Sequence, residues 1–151
     1  MTRHSWQFLL LFAAALFAVV CAWNVPVTAD EQVAIIVNPA NSVSTLSPGD
    51  LHKIYMGDKG SWPNGKHIFL IMAPPGSPER AAMLKNVFKM SEGEYAKYFL
   101  QATFTGAISA PSKEASSAAE IKQLVAANAG AIGYGKPQDA DDTVKVLLKV
   151  P

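Results

Sequence analysis

Short apolar runs alternate with capped helix starts along this chain, and that alternation constrains the fold more than any other feature. Residues 32–38 form a β-branched run around Val33, Ile35 and Val37, too short for a helix and uniformly apolar, as in a strand buried on both faces. A turn-rich loop follows over 39–46. Ser47-Pro48-Gly49-Asp50 then reads as an N-cap, a proline at the first helical position and an acid in the first turn. Leu51, Ile54 and Tyr55 continue at helical spacing, and Gly57 stops the helix. The pattern repeats: Trp62-Pro63-Asn64-Gly65 turns the chain into a second apolar run over 67–72, again expected to be buried on both faces. Ser77-Pro78 caps a second helix carrying Leu84, Val87 and Phe88.

Ser91 and Glu94 form a capping box before Tyr95, Tyr98, Phe99 and Ala102, and Ser117 and Glu120 form another before Ile121, Leu124 and Val125. Residues 104–116 read as irregular. Ala131–Tyr134 forms a third short strand, and 143–150, which alternates more clearly, a fourth at a sheet edge. Strands alternating with helices predict an α/β layer: a mostly parallel sheet flanked by helices.

A different pattern governs the first thirty residues. Arg3 precedes an uncharged apolar stretch over 8–23, and Val27-Thr28-Ala29 offers compact residues just before Asp30 and Glu31. That is the layout of a secretory signal. Sixteen residues fall short of the roughly 20 needed to cross a bilayer. The expectation is a signal peptide over 1–29, cleaved after Ala29, and one exported periplasmic lobe over 30–151. The single cysteine, Cys21, would leave with the signal, so the mature lobe depends on no disulfide. Removing residues 1–29 takes only Arg3 from 13 basic and 12 acidic residues, so the remainder balances at zero. Such a surface argues against nucleic acid as a partner.

No nucleophile elbow, phosphate loop or zinc spacing is present, and His52 and His67 have no partner at a spacing that implies a dyad. The sequence therefore predicts no catalytic residue, no metal site and no cofactor. Asp141-Asp142 reads as a solvated turn. The aromatics Trp62, Tyr95, Tyr98, Phe99 and Phe104 read as core. Anion binding has the best local support. A strand ending at Met72, a glycine turn and a helix opening at Ser77 would place backbone N–H groups and a helix dipole at a sheet's C-terminal edge. Gly76 allows close approach, the Ser77 hydroxyl can donate, and Arg80 could add charge-assisted hydrogen bonds. The loop containing Ser44 and Thr45 is a second candidate.

Several of these motifs occur together in a known family. Val33-Ala-Ile-Ile-Val-Asn-Pro39, Leu51-His-Lys-Ile-Tyr-Met-Gly57, Trp62 with Asn64-Gly65, Pro75-Gly-Ser77 and Gly130-Ala-Ile-Gly-Tyr134 stand in the family's order. The chain thus resembles the substrate-binding protein of the phosphate ABC transporter, a type II periplasmic binding protein, in a short single-lobe form. The resemblance implies one Rossmann-like lobe of a two-lobed clamshell, and phosphate or a related oxyanion as ligand for transport or sensing. Where family members carry Arg-x-Asp-Gly-Ser-Gly-Thr, this chain matches only at Gly76 and Ser77. Ala73 stands at the arginine position and Glu79 at the threonine position. Those two substitutions motivate an alternative, a ligand-free interaction module serving a membrane transporter, porin or sensor kinase. An anion held by one lobe stays exposed to water, so tight capture would call for a partner or a second copy, as in a homodimer.

Overall fold

The structure, a computed structural model, describes residues 32–108 and 112–151. The expected signal segment and cleavage position lie outside them. Five strands, β1 (Val33–Val37), β2 (Phe69–Met72), β3 (Lys113–Glu114), β4 (Ala131–Gly135) and β5 (Lys145–Val150), form one sheet in the order β3-β2-β4-β1-β5. β2 pairs in parallel with both β3 and β4, while β1 runs antiparallel to both β4 and β5. Four of the five strands therefore point the same way. Only β1 runs against them.

Helices α1 (Pro48–Tyr55), α2 (Pro78–Met83), α3 (Glu92–Phe104) and α4 (Ala118–Ala127) cover the sheet, with a short 3-10 turn over Pro137–Asp139. Alternation along β4 assigns them to faces. Gly133 lies under α4, where an added Cβ would come 2.7 Å from Ile121 Cγ2 and 3.1 Å from Val125 Cγ2. Tyr134 points to the other face, where its ring lies 6.1 Å from that of Tyr55 on α1. With both faces covered, all of β1 and Ala131–Tyr134 of β4 are buried, as a uniformly apolar run requires.

The caps explain where the helices begin. Ser47, Ser77, Ser91 and Ser117 each accept a backbone N–H three residues on, and Pro48 and Pro78 occupy first helical positions. Ser91 and Glu94 form the full reciprocal box. At α4 the box is displaced by one residue. The Glu120 carboxylate reaches the N–H and hydroxyl of Ser116 at 2.7 and 2.6 Å.

Four expectations are corrected. The second strand begins at Phe69, and Phe69 is 51% exposed because only Ile71 and Met72 reach the sheet's covered centre. The stretch expected to be irregular contains β3, a two-residue strand too short to leave a periodic signal. Helix α2 widens into a π-helical turn over Leu84–Phe88, ended by Lys89 in the left-handed region at φ 57°. Phe104 is 84% exposed rather than core: it ends α3 four residues beyond exposed Leu100, off the face that buries Tyr95, Phe99 and Ala102.

Candidate functional site

The parallel strands β2 and β4 end together, and the chain leaves β2 through Ala73 into the turn before Ser77. The Tyr134 hydroxyl fixes this end by accepting the Ala73 N–H at 3.1 Å. Ser77 N–H closes the turn onto Pro74 O at 3.2 Å. Gly76 takes φ 81°, a conformation side chains rarely adopt, and a Cβ built there meets nothing within 4 Å. The turn is thus open to solvent and closed by one backbone hydrogen bond. Gly76 is exposed and Ser77 half-buried.

Two of the N–H groups around the helix start are used within the protein. Ser77 N–H bonds to Pro74, Pro78 has none, and Arg80 N–H is capped by Ser77 Oγ at 3.3 Å. The exposed backbone of Gly76 and the half-buried hydroxyl of Ser77 are what remain at the surface of the turn.

The structure sets Arg80 among acceptors of the protein itself. The residue is only 3% exposed, and its guanidinium is surrounded by acceptors. Nη1 donates to Ala73 O at 2.9 Å and to Glu114 Oε1 at 2.8 Å. Nε and Nη2 form a fork with Glu92, at 3.0 and 2.5 Å. The Tyr95 ring lies 5.2 Å from Cζ, and the Tyr95 hydroxyl shares a hydrogen bond with Ser112 at 3.1 Å. Burial opposes the charged guanidinium, but hydrogen bonds and attraction from Glu92 and Glu114 outweigh it and raise its pKa above the usual value. Two carboxylates around one guanidinium leave a local net charge of −1. Arg80 ties α2 to the end of β2, to β3 and to the start of α3.

Burial also pushes up the tyrosines of this region. Tyr134, Tyr95 and, most of all, fully buried Tyr55 lie above the ordinary phenol value. All three stay neutral across the physiological range. The buried Glu79 carboxylate, 4.0 Å from Lys136 Nζ, adds negative charge beside the turn. The adjoining groove, of about 790 Å³, brings Lys85 and Lys89 together with Ser91, Glu92 and Glu94.

Ser44 and Thr45 stand apart from this groove, and both are exposed. Their loop leaves β1 at Val37, opposite Ile132, near the start of β4, whereas the Gly76–Ser77 turn follows the finish of β2. Asn38 anchors the loop by donating to Val125 O and Ala126 O at 3.2 and 2.6 Å, closing the C-terminus of α4. The structure therefore brings together Gly76, Ser77 and Arg80, and places Ser44 and Thr45 elsewhere. Among the described residues, no group of three or more His, Cys, Asp or Glu is arranged to hold a metal ion.

Sequence reasoning missed Glu92 and Glu114. Glu92 lay inside the Ser91–Glu94 capping box with no role assigned to it, and Glu114 lay in the stretch expected to be irregular. A buried arginine flanked by two acids distant in sequence leaves no local pattern to read.

Solved structures share this arrangement of strands and helices. A protein from Clostridium perfringens, assigned as a phosphate ABC transporter substrate-binding protein and solved with bound phosphate, superposes with a TM-score of 0.62. It is 22% identical, and the match covers 78% of this chain and 45% of that one. The fold is shared with a little under half of that protein. An ABC-type phosphate transport receptor from Vibrio cholerae matches at a TM-score of 0.57 and 21% identity, over 78% of this chain and 46% of its own. The chain thus spans less than half the length of either. No family model matches the sequence, and no curated protein is similar to it in sequence.

Proposed function

We propose that this chain is an exported, periplasmic solute-binding lobe that takes phosphate or a related oxyanion at the Gly76–Ser77 turn and performs no catalysis. The observation that carries this reading is the turn itself, a solvent-open glycine–serine corner at the C-terminal edge of parallel strands, in a fold shared with a protein solved with phosphate. The Ser77 hydroxyl donates to the anion, Gly76 lets its oxygens approach the backbone, and Lys85 and Lys89 contribute positive charge from the groove. Arg80 supports the turn from below and stays in its ion pairs. With water on the open side, charge contacts are screened and affinity is modest, in the millimolar range (about −4 kcal/mol). Calorimetry with phosphate and sulfate on the chain starting at Asp30 tests the reading; no heat at several millimolar of either would refute the ligand assignment. N-terminal sequencing of protein recovered from the periplasm, expected to begin at Asp30, tests export.

A second reading, a ligand-free interaction module serving a transporter, porin or sensor protein, is favoured by one observation. The guanidinium that could neutralise an anion here is already neutralised by Glu92 and Glu114. Stoichiometric capture of a membrane partner, undiminished by saturating phosphate and by Ser77→Ala, would favour this reading over the first.

A further inference from the structure

A second concavity lies away from the Gly76–Ser77 turn, where β2 and β4 begin. It measures about 820 Å³, within the range of small-molecule sites. Ile54, Ile71, Ile108 and Leu124 form an apolar floor, and Phe69, half exposed, stands as a wall. The apolar run that sequence patterning places in a fully covered strand thus opens here onto a hollow. Its walls are tightly set: a Cβ on Gly57 would come 2.6 Å from Ile108 Cγ1, and one on Gly130 would come 2.2 Å from the His67 carbonyl oxygen.

The lining is asymmetric in charge. Lys59, His67 and Lys113 line the hollow, together with the neutral polar residues Ser61 and Asn128, and among the described residues no aspartate or glutamate does. Among the described residues Lys59 pairs with Asp50, outside the hollow, at a loose 3.6 Å between partly exposed side chains. An apolar floor under a basic rim is complementary to a molecule with an apolar body and an anionic head.

We infer that this hollow binds a small amphipathic carboxylate, an acyl or aryl chain lying on Ile71, Leu124 and Phe69 with its carboxylate toward Lys59 and Lys113. The site is separate from the oxyanion reading and stands or falls independently of it.

Dodecanoate is the probe, titrated calorimetrically below its micellar range against the chain starting at Asp30, with dodecanol and dodecyltrimethylammonium as neutral and cationic counterparts. The expected result is one-to-one binding of dodecanoate, about tenfold tighter than the cationic amphiphile. Lys59→Gln with Lys113→Gln, both at exposed or half-exposed positions, should erase most of that preference while leaving dodecanol binding unchanged. Leu124→Trp, which fills the floor, should abolish binding of all three, and an unchanged circular dichroism spectrum would show that the fold survives. Should Leu124→Trp disturb the fold, dodecanoate-induced amide shifts at Phe69, Ile71 and Ala131 in the parent locate the site instead. Equal affinity for the anionic and cationic amphiphiles, a charge preference that survives the double lysine change, shifts confined to other residues, or no binding at several hundred micromolar would overturn the inference.

Discussion

Replacing Arg80 discriminates a structural brace from a ligand-binding group, and the structure sets the size of the effect. Arg80→Met keeps most of the stem's packing and removes the charged fork. Ala73 O, on a residue almost fully buried, then loses its 2.9 Å donor. An orphaned buried acceptor costs about 1–3 kcal/mol. Losing the contact with the Tyr95 ring adds about 0.5–1 kcal/mol. The side chains of Glu92 and Glu114 are 44% and 52% exposed, so both carboxylates return to water at little cost. Relief of the guanidinium's own desolvation works in the opposite direction. The net expectation is a loss of about 2 kcal/mol for Arg80→Met. Arg80→Ala, which also empties the space of the stem, should lose about 3 kcal/mol. For a domain of this size that corresponds to a fall of about 10 °C in Tm for the alanine variant. Thermal melts by circular dichroism and urea titrations read both values. A melt within about 2 °C of the parent, coupled with complete loss of phosphate binding, would rule out the brace and return Arg80 to the ligand.

Three further outcomes follow from the same geometry. The Ser91 N–H and hydroxyl hold Glu94 below its usual value, the Ser116 hydroxyl and N–H do the same for Glu120, and so do the Ser47 hydroxyl and Lys59 for Asp50. Because these folded-state values are depressed, their stabilisation is fully present above the unfolded values of about 4 to 4.5 and is lost as pH falls through the folded ones. Urea midpoints should therefore drop below about pH 4.5, and less steeply in a Glu94→Gln, Glu120→Gln double variant. Gly133→Ala should destabilise by about 1–3 kcal/mol, read as a lower urea midpoint, because its Cβ would press on Ile121 and Val125 across the α4 interface. Trp62→Phe keeps the buried ring but removes the 2.9 Å bond from Nε1 to Gly130 O, and should cost about 1–2 kcal/mol by the same titration.

Local chemistry made the frame of this fold legible in sequence. Every serine N-cap and both helix-opening prolines are consequences of adjacent residues, and the strands buried on both faces show as unbroken apolar runs. Those signals place β1, β4 and all four helices, and they place Gly76 and Ser77 at a strand-to-helix corner. What they could not give depends on residues far apart. The fork from Arg80 to Glu92 and Glu114 spans 12 and 34 positions, and β3 exists because Lys113 and Glu114 pair with the end of β2. Phe69 shows the converse limit. Its apolar neighbours predict burial, yet the sheet's cover does not extend to its end of the strand, and the residue becomes a wall instead of core.

On the function proposed above, an oxyanion sits on the Gly76–Ser77 turn without recruiting Arg80. Titrating phosphate into isotope-labelled chain, with amide and arginine side-chain resonances followed together, tests it most directly. Saturable shifts are expected at the Gly76, Ser77 and Glu79 amides, with the Arg80 Nε–H resonance held by Glu92 throughout. Large movement of the Arg80 resonance, or no shift at the turn while phosphate reaches tens of millimolar, would contradict it.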